Sequence, residues 1–531
     1  MNTRLSPILT AALLLLAAPL SLAHDEAPGK GKLGKVSFPS SCDPAVQPAL
    51  ERSVAMLHSF WYSAAEASFR DVLAHDPQCA VATWGIAAIL MSNPLAGQGA
   101  SPKGAAEAQA AIEQGRRIGA KTQRERDYIE AVATYYEDWA NRPERERQAN
   151  RAKAFEALAA RYPDDDEAKI FSALYIAGTQ SQADQTYAAY LKAAGILEDQ
   201  FRKYPDHPGV AHYLIHSYDA PPIAPKGVPA ARLYATIAPD APHALHMPSH
   251  IFTRVGAWEE SAATNERSAE VAKRGNEPDE AYHAADYTVY AYLQLARDAK
   301  ARATIDSAMK VAGTTPRFIA PYSIAAMPAR YVVERNDWAA AARLEVTPTT
   351  YPYVSAITQY ARALGAARTG DLASAKKEAE GLAAAQAALE TAKNKYWATE
   401  VEIQRLAVAG WIALGEGKND EALKLMRAAA DLEDRNEKHI VTPGRLLPAR
   451  ELLGDMLLEM KQPREALKEL EASRAREPNR FRNYALSARA AEAAGDSAAA
   501  RQYYEKLTAL ANDPAADRPE LKRAKLVLGA R

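Results

Sequence analysis

The stretch "RVGAWEESAATNERS" (254–268) carries the local pattern that decides the fold. A glycine stands where two helices would meet, an aromatic or aliphatic residue follows soon after it, and alanine occupies the position of closest helix contact. The stretch "RTGDLASAKKEAEGL" (368–382) repeats this pattern. Ala-rich amphipathic segments of about a dozen residues recur between short Pro, Gly and Asp turns, and no alternating strand pattern accompanies them. The sequence therefore predicts an all-α protein.

The interval between equivalent positions indicates the type of repeat. Pro205 and Pro239, like Ala466 and Ala500, are separated by the period of the tetratricopeptide (TPR) repeat, which is about 34 residues. Paired helices of this kind stack because neither buries its apolar face alone. Other intervals are longer, such as the one from Pro163 to Pro205. We therefore predict an irregular, TPR-like solenoid of helical hairpins.

The start of the chain is typical of an exported protein. Residues 1–23 combine a polar start, an apolar run and small residues at Ser21 and Ala23, which is the pattern of a cleavable secretory signal peptide. Cys42 and Cys79 favour one disulfide in an oxidising compartment, the alternative being two buried free thiols. We expect a periplasmic or secreted protein that does not insert into the membrane once the signal is removed.

Two further segments divide the chain. Residues 24–41 are predicted to form a flexible tether. The proline-rich stretch "EVTPTTYPYV" (345–354) interrupts the helical pattern. We therefore expect an N-terminal TPR-like array over residues 42–345, which contains the histidine-rich part of the chain, and a C-terminal TPR-like array over residues 346–531.

Charge and motifs exclude several classes of function. The chain has 65 basic and 66 acidic residues, and neither sign forms a long block. Composition therefore gives no reason to expect nucleic acid or an anionic membrane as a partner. The sequence has no GxSxG, glycine-rich phosphate loop, HExxH or CxxC motif, so it does not indicate the enzymes that depend on them.

Histidine is concentrated in one part of the chain. Seven of the eleven histidines lie between residues 207 and 283. Six of them recur at helical spacing in three neighbouring segments: His212, His216, His243, His246, His250 and His283. In "HYLIHSYD", for example, His212, His216 and Asp219 stand at i, i+4 and i+7, so they project from one face of a helix.

These histidines are in phase with the repeat. His212 and His246, like His216 and His250, are one TPR period of about 34 residues apart, and the step from His250 to His283 is shorter by a single position. The first helices of successive TPR repeats line the concave surface of the solenoid. We therefore expect the six imidazoles to share one concave wall.

Imidazole and carboxylate groups on facing helices form metal sites in helical proteins. We predict that the six histidines bind one or two transition-metal ions, with copper or zinc favoured and iron as a further candidate. Asp219 and Asp286 are expected to orient the imidazole rings. If the centre is catalytic, Asp219, Asp286 and Tyr287 are the candidates for proton transfer; the sequence leaves open whether the protein is an enzyme.

Other interpretations of the histidines stay open. A polar concave groove recognising an anionic small molecule or a peptide needs no metal, and neither does a scaffold for a protein partner in which the histidines only form hydrogen bonds. Pro248 also leaves the local geometry open, because proline lacks an amide hydrogen and can begin a helix as well as kink one. If it begins a helix, only His250 lies on the helix proper.

A few residues outside this group are candidates to contact a bound molecule. They are His58, Arg330 and His439, and the guanidinium group of Arg330 suits a carboxylate or phosphate. A histidine taken singly is more often a hydrogen-bonded core residue, which is the alternative for His58 and His439. "NEKHIVTPGRLLPARELLGDM" (436–456) is interpreted chiefly as a shaped connection between repeats.

The blocks "HPGVAHYLIHSYDAPP" (207–222) and "APHALHMPSHIF" (241–252) resemble those of a family of exported bacterial TPR proteins. The segments "HAADYTVYAYLQ" (283–294) and "EKHIVTPGRLLPARELLGDM" (437–456) extend the resemblance over nearly the whole mature chain. The resemblance implies a TPR-like fold and attaches no established reaction to the chain.

Overall fold

A computed structural model describes residues 31–313 and 318–529. In these two ranges the chain forms helices, turns and irregular segments and no strand, which confirms the all-α prediction. The predicted signal peptide, residues 1–23, lies outside the described residues. Among the described helices, none has the length and apolar character needed to cross a membrane.

The helices of the first described range are Gln47–His58 (α1), Tyr62–His75 (α2), Ala82–Leu90 (α3), Pro102–Ile118 (α4), Gln123–Tyr136 (α5), Glu144–Arg161 (α6), Asp166–Ala177 (α7), Ala188–Lys203 (α8), Pro208–Ser217 (α9), Val228–Ile237 (α10), Pro242–His246 (α11), Pro248–Val255 (α12), Trp258–Arg274 (α13), Pro278–Gln294 (α14) and Asp298–Ala308 (α15). A short 3-10 helix, Ala224–Gly227, precedes α10. The helices of the second range are Ile319–Val333 (α16), Trp338–Ala341 (α17), Pro352–Arg368 (α18), Leu372–Thr391 (α19), Lys395–Gly415 (α20), Asn419–Asp434 (α21), Ala449–Glu459 (α22), Pro463–Arg476 (α23), Phe481–Ala493 (α24), Ser497–Leu510 (α25) and Pro519–Leu528 (α26).

The helices pack as a TPR-like solenoid. Each helix contacts the next one along the chain, and alternate helices also contact one another, as α7 does α9, α14 does α16 and α22 does α24. The glycine-aromatic pattern accounts for one of the hairpins. Gly256 closes α12 with a φ of 69°, which favours glycine, and the buried Trp258 and Ala262 begin α13.

The hydrophobic core continues across the predicted boundary at residue 345. The stretch after α17 is not helical up to Pro352, as the proline-rich sequence indicates. However, α16 and α18 pack on each other across it, and Val333 and Val354 belong to one buried cluster. The two predicted arrays therefore share a core at this point.

The residues before α1 pack against the helices from Gly31 onward, which differs from the predicted flexible tether. Phe38 is fully buried and stacks on Trp84, with ring centroids 5.2 Å apart. Burial of such apolar side chains holds the segment in place. Residues 24–30 of the predicted tether lie outside the described part of the chain. Cys42 and Cys79 form a disulfide, as predicted.

The solenoid turns far enough for distant helices to meet. Helix α1 packs on α9, and α14 packs on α24. Residues 436–448, between α21 and α22, enter the concave side and are almost entirely buried; we call them the covering segment. Its backbone is hydrogen-bonded to distant repeats, since Glu437 N donates to Gln182 O at 2.9 Å and the Tyr396 hydroxyl donates to Glu437 O at 3.2 Å. Such bonds satisfy the polar groups of a buried irregular segment.

Candidate metal centre

The "HPG" sequence at the start of α9 positions its histidines. The His207 ring accepts a hydrogen bond from Val210 N and caps the helix, and Pro208 occupies the first turn. Gly209 has no side chain at a point where a Cβ atom would lie 2.3 Å from His58 Nδ1. Helix α9 therefore packs closely on α1 and presents its inner face to the concave side.

Pro248 does not break the alignment of the "APHALHMPSH" histidines. It begins α12, but Met247 before it keeps right-handed helical angles, with φ −52° and ψ −38°. The amide of Met247 still donates to His243 O at 2.9 Å. Helices α11 and α12 therefore form one nearly continuous path, and His246 and His250 come into direct contact on it.

The six histidines form two groups of three on α9, α11, α12 and α14. The first trio is His212, His216 and His243, and the second trio is His246, His250 and His283. Within each trio, one ring nitrogen of every histidine lies within 4.8 Å of the other two, and all six residues are buried. The trios adjoin, because the ring centroids of His216 and His250 are 5.5 Å apart.

In the first trio, outer hydrogen bonds leave inner nitrogens free. His212 Nδ1 donates to the carbonyl of His58 at 2.6 Å, and His243 Nδ1 donates to Glu280 Oε2 at 3.2 Å. The Nε2 atoms of His212 and His243 are buried without a hydrogen-bond partner among the described residues. An outer partner that fixes the tautomer and orientation of a ring is the usual arrangement around a metal-binding histidine.

In the second trio, two acceptor nitrogens face each other. His246 Nε2 and His250 Nε2 are 3.0 Å apart. His246 Nδ1 donates to Asn265 Oδ1 at 2.7 Å, and the Asn265 amide is fixed because its Nδ2 donates to Ser261 O. His250 Nδ1 donates to Asp219 Oδ2 at 2.9 Å. Because both Nδ1 atoms carry the proton, both Nε2 atoms present lone pairs, and a cation between them would remove their repulsion.

Burial keeps the rings of His212, His216, His246, His250 and His283 neutral. It lowers the pKa of His250 to about 4, although Asp219 opposes the change, and it lowers the pKa of His283 to about 3. Burial, followed by repulsion from neighbouring histidines, holds the pKa values of His212, His216 and His246 well below the ordinary 6.5. Neutral imidazole is the form that binds a metal ion.

Asp219 anchors the second trio to the covering segment. Besides His250, its carboxylate accepts from Arg254 Nε at 2.8 Å and lies 3.3 Å from Lys438 Nζ. The nearby cations Lys438 and Arg254 hold the pKa of the Asp219 carboxyl far below its usual range, although burial opposes them. Asp219 is therefore charged, fixed and bound to the outer side of His250.

Tyr287 contacts both the second trio and the covering segment. Its hydroxyl donates to Thr442 O in the covering segment at 3.1 Å, and its oxygen lies 3.5 Å from His250 Nε2. The covering segment thus contacts the site through Lys438 and Thr442. The predicted concave wall is therefore not an open groove at the histidines.

Asp286 and Arg330 do not join the histidines. Asp286 Oδ1 lies 3.7 Å from Arg330 Nε, and burial raises the pKa of Asp286 to about 6. Arg330 donates to the carbonyls of Arg445 at 2.7 Å and Gly444 at 3.1 Å. Arg330 thus holds the covering segment in place, and Asp286 faces Arg330 instead of a histidine ring as predicted. Binding of an anion by Arg330 stays a prediction.

His58 and His439 also have other partners. His58 lies between Glu167 Oε2 and the Tyr213 hydroxyl, 2.8 Å and 2.9 Å away, so both of its ring nitrogens are occupied. His439 stacks on Trp397 with ring centroids 5.1 Å apart, and its Nδ1 accepts from Val441 N. Both are buried outside the two trios, and contact of either residue with a bound molecule stays a prediction.

The sequence prediction missed the outer partners Asn265, Glu280 and Lys438. A signal for Asn265 was present in the stretch that identified the fold. Ser261, Asn265 and Ser268 stand at i, i+4 and i+7, and all three are fully buried on the packing face of α13. A polar stripe on such a face indicates groups that serve a neighbouring site.

Comparison with known proteins gives distant likenesses at 11% sequence identity. The human IFIT1 dimer with m7Gppp-AAAA aligns with a TM-score of 0.35 over 77% of this chain and 87% of its own. The APC/C hetero-tetramer Cut9-Hcn1 aligns with a TM-score of 0.29 over 90% of this chain and 97% of its own. No family model and no curated protein matches the chain. The description of the fold as TPR-like rests on its helix packing.

Proposed function

We propose that this protein is an exported transition-metal protein whose two histidine trios each bind one ion. The observation that carries the proposal is the contact between His246 Nε2 and His250 Nε2 at 3.0 Å, with the Nδ1 atom of each ring already donating. Two nitrogens bound to one zinc ion at about 2.0–2.1 Å stand about 3.3 Å apart in tetrahedral geometry. The separation of these atoms is close to that value.

The chemistry of the donors supports copper or zinc, with iron as a further candidate. The ligands are neutral imidazoles without thiolate, which suits these ions and does not suit magnesium or calcium. The disulfide between Cys42 and Cys79 supports the proposed periplasmic or secreted location, because disulfides persist in oxidising compartments.

A catalytic role needs a proton-transfer group beside the ions. Tyr287 has its oxygen 3.5 Å from His250 Nε2, so it is the residue we propose for that role. Asp219 is held in two ion pairs and a hydrogen bond, which favours orientation of His250 over proton transfer. The covering segment limits any substrate at the ions to a small molecule.

The proposal is tested by metal analysis of the protein purified without a histidine tag. We expect copper or zinc in the native protein, or stoichiometric binding when either ion is added. His216→Ala should reduce the amount of metal bound at the first trio, and His250→Ala should reduce the amount bound at the second trio. His439→Ala is the matched control, because His439 is also buried but stacks on Trp397 outside the trios.

Native protein without metal that also fails to bind added zinc and copper would refute the proposal. The alternative is then a TPR-like scaffold for a peptide or protein partner, with the histidines serving as hydrogen-bonding groups. In that case the partner must bind away from the trios, because the covering segment occupies the concave side next to them.

A further inference from the structure

His216 differs from the other histidines of the centre. Its Nδ1 and Nε2 atoms are both buried and both lack a hydrogen-bond partner in the described part of the chain, and the residue is only 2% exposed. His212, His243, His246 and His250 each use Nδ1 for an outer hydrogen bond. The described residues therefore offer His216 no group that fixes its tautomer, and an unsatisfied buried polar atom is destabilising.

The ring of His216 lies beside both trios. Its ring centroid is 5.0 Å from that of His212, in the first trio, and 5.5 Å from that of His250, in the second trio. One of its nitrogens lies within 4.8 Å of the ligand nitrogens of His212 and His243. The ring thus stands where the two trios meet.

The alternative of a hydrogen-bonded core histidine does not account for His216. His58 shows what that state looks like in the same protein, since its two nitrogens are paired with Glu167 and Tyr213. Around His216 the described rings on the concave side are imidazoles and the side chain of Phe60. In the neutral ring one nitrogen of His216 carries a lone pair and the other a proton, and the described residues offer a partner to neither.

We infer that His216 bridges the two ions as an imidazolate, with one ring nitrogen bound to the ion of the first trio and the other to the ion of the second trio. The inference rests on the proposed function. When the second divalent ion binds, its bond to nitrogen replaces the remaining N–H bond of the ring, and the proton passes to solvent. The two ions then form one dinuclear centre rather than two separate sites.

Copper loading provides the test. The apoprotein is loaded with Cu(II) to two ions per chain, the bound copper is measured, and the unpaired spins are counted by EPR at liquid-helium temperature. An imidazolate bridge pairs the spins of two Cu(II) ions, so the spin count of the native protein should fall far below its copper content. His216→Ala and His216→Gln should restore a spin count equal to the bound copper.

His243→Ala is the matched control. It removes a ligand from the same trio and leaves both nitrogens of His216 in place, so this variant, compared at two bound copper ions per chain, should stay spin-coupled. Circular dichroism checks that each variant is folded, and the glutamine variant keeps a side chain of similar reach in the cavity. A native protein that binds two coppers with a full spin count would overturn the bridge and leave the proposed function standing. A native protein that binds no copper or zinc would overturn both.

Discussion

Replacement of Asp219 by asparagine tests its two roles, which are to orient the His250 ring and to compensate the charges of Arg254 and Lys438. In the native protein its carboxylate, which is 1% exposed, accepts from His250 Nδ1 and pairs with Arg254 and Lys438. Asparagine keeps the size of the side chain and removes its charge. The substitution Asp219→Asn therefore weakens the orientation of His250 and leaves two buried cations short of a counter-ion.

We expect two measurable effects of different origin. Removal of one partner from a buried ion pair costs about 3–5 kcal/mol, so the urea midpoint of the apoprotein should fall clearly. Loss of an outer partner of a metal-binding histidine weakens metal affinity by about 10–100-fold, which is about 1.4–2.7 kcal/mol. Zinc affinity is measured at neutral pH by competition with a chromophoric chelator.

The double variant Asp219→Asn, Lys438→Met distinguishes the effects. It removes one of the uncompensated cations, so it should recover part of the lost stability while zinc affinity stays low. The single variant Lys438→Met is the control, because it leaves the Asp219 carboxylate on His250. Unchanged zinc affinity in Asp219→Asn would refute the reasoning that this carboxylate orients a metal ligand.

Two further predictions concern stability. Burial lowers the pKa of His439 to about 3 from the ordinary 6.5. As the pH falls, the His439 ring is therefore protonated in the unfolded chain before it is protonated in the folded protein. Up to about 5 kcal/mol of the stability present above about pH 6.5 is lost as the pH falls toward 3. The urea midpoint should accordingly fall less steeply between about pH 7 and pH 4 in His439→Phe, which keeps a ring on Trp397, than in the native protein. Equal slopes of the two proteins against pH would contradict this prediction. The disulfide between Cys42 and Cys79 closes a loop with a sequence separation of 37. The double variant Cys42→Ser, Cys79→Ser should therefore lose about 4 kcal/mol of unfolding free energy, from the chain entropy that the loop removes. An unchanged urea midpoint, measured without reductant, would contradict this prediction.

The repeat period was sufficient to predict that these histidines gather, but not how they group. His216 and His250 are one repeat period apart, and their ring centroids are 5.5 Å apart, as stacked first helices require. His212, however, groups with His243 and not with His246, its counterpart one period away. The path around Pro248 was not predictable from its residue type, because proline is compatible with both a kink and a new helix. The helical angles of Met247 decide between these, and they depend on the packing of the whole repeat.

The different roles of Asp219 and Asp286 could not be predicted from the sequence. Asp219 and Asp286 each stand three residues after a histidine of the centre, so the pattern treats them alike. Asp219 follows the end of α9 and reaches His250 in the next repeat, whereas Asp286 lies within α14 and faces Arg330. The sequence separation between Asp219 and its other partner, Lys438, is 219. Such contacts follow from the curvature of the solenoid and not from local spacing.

The covering segment also determines how long an ion would remain in the centre. An ion leaving the second trio on this side has to displace residues 436–448, which are held by the Lys438 contact with Asp219 and by the Tyr287 bond to Thr442. Release therefore requires local opening of a buried segment in addition to breakage of the metal bonds. Since this segment follows the histidines along the chain, a newly made protein would expose its histidines until the segment has been made and has packed. Ion uptake would then be fastest during folding, and exchange in the mature protein would be slow whatever the equilibrium affinity.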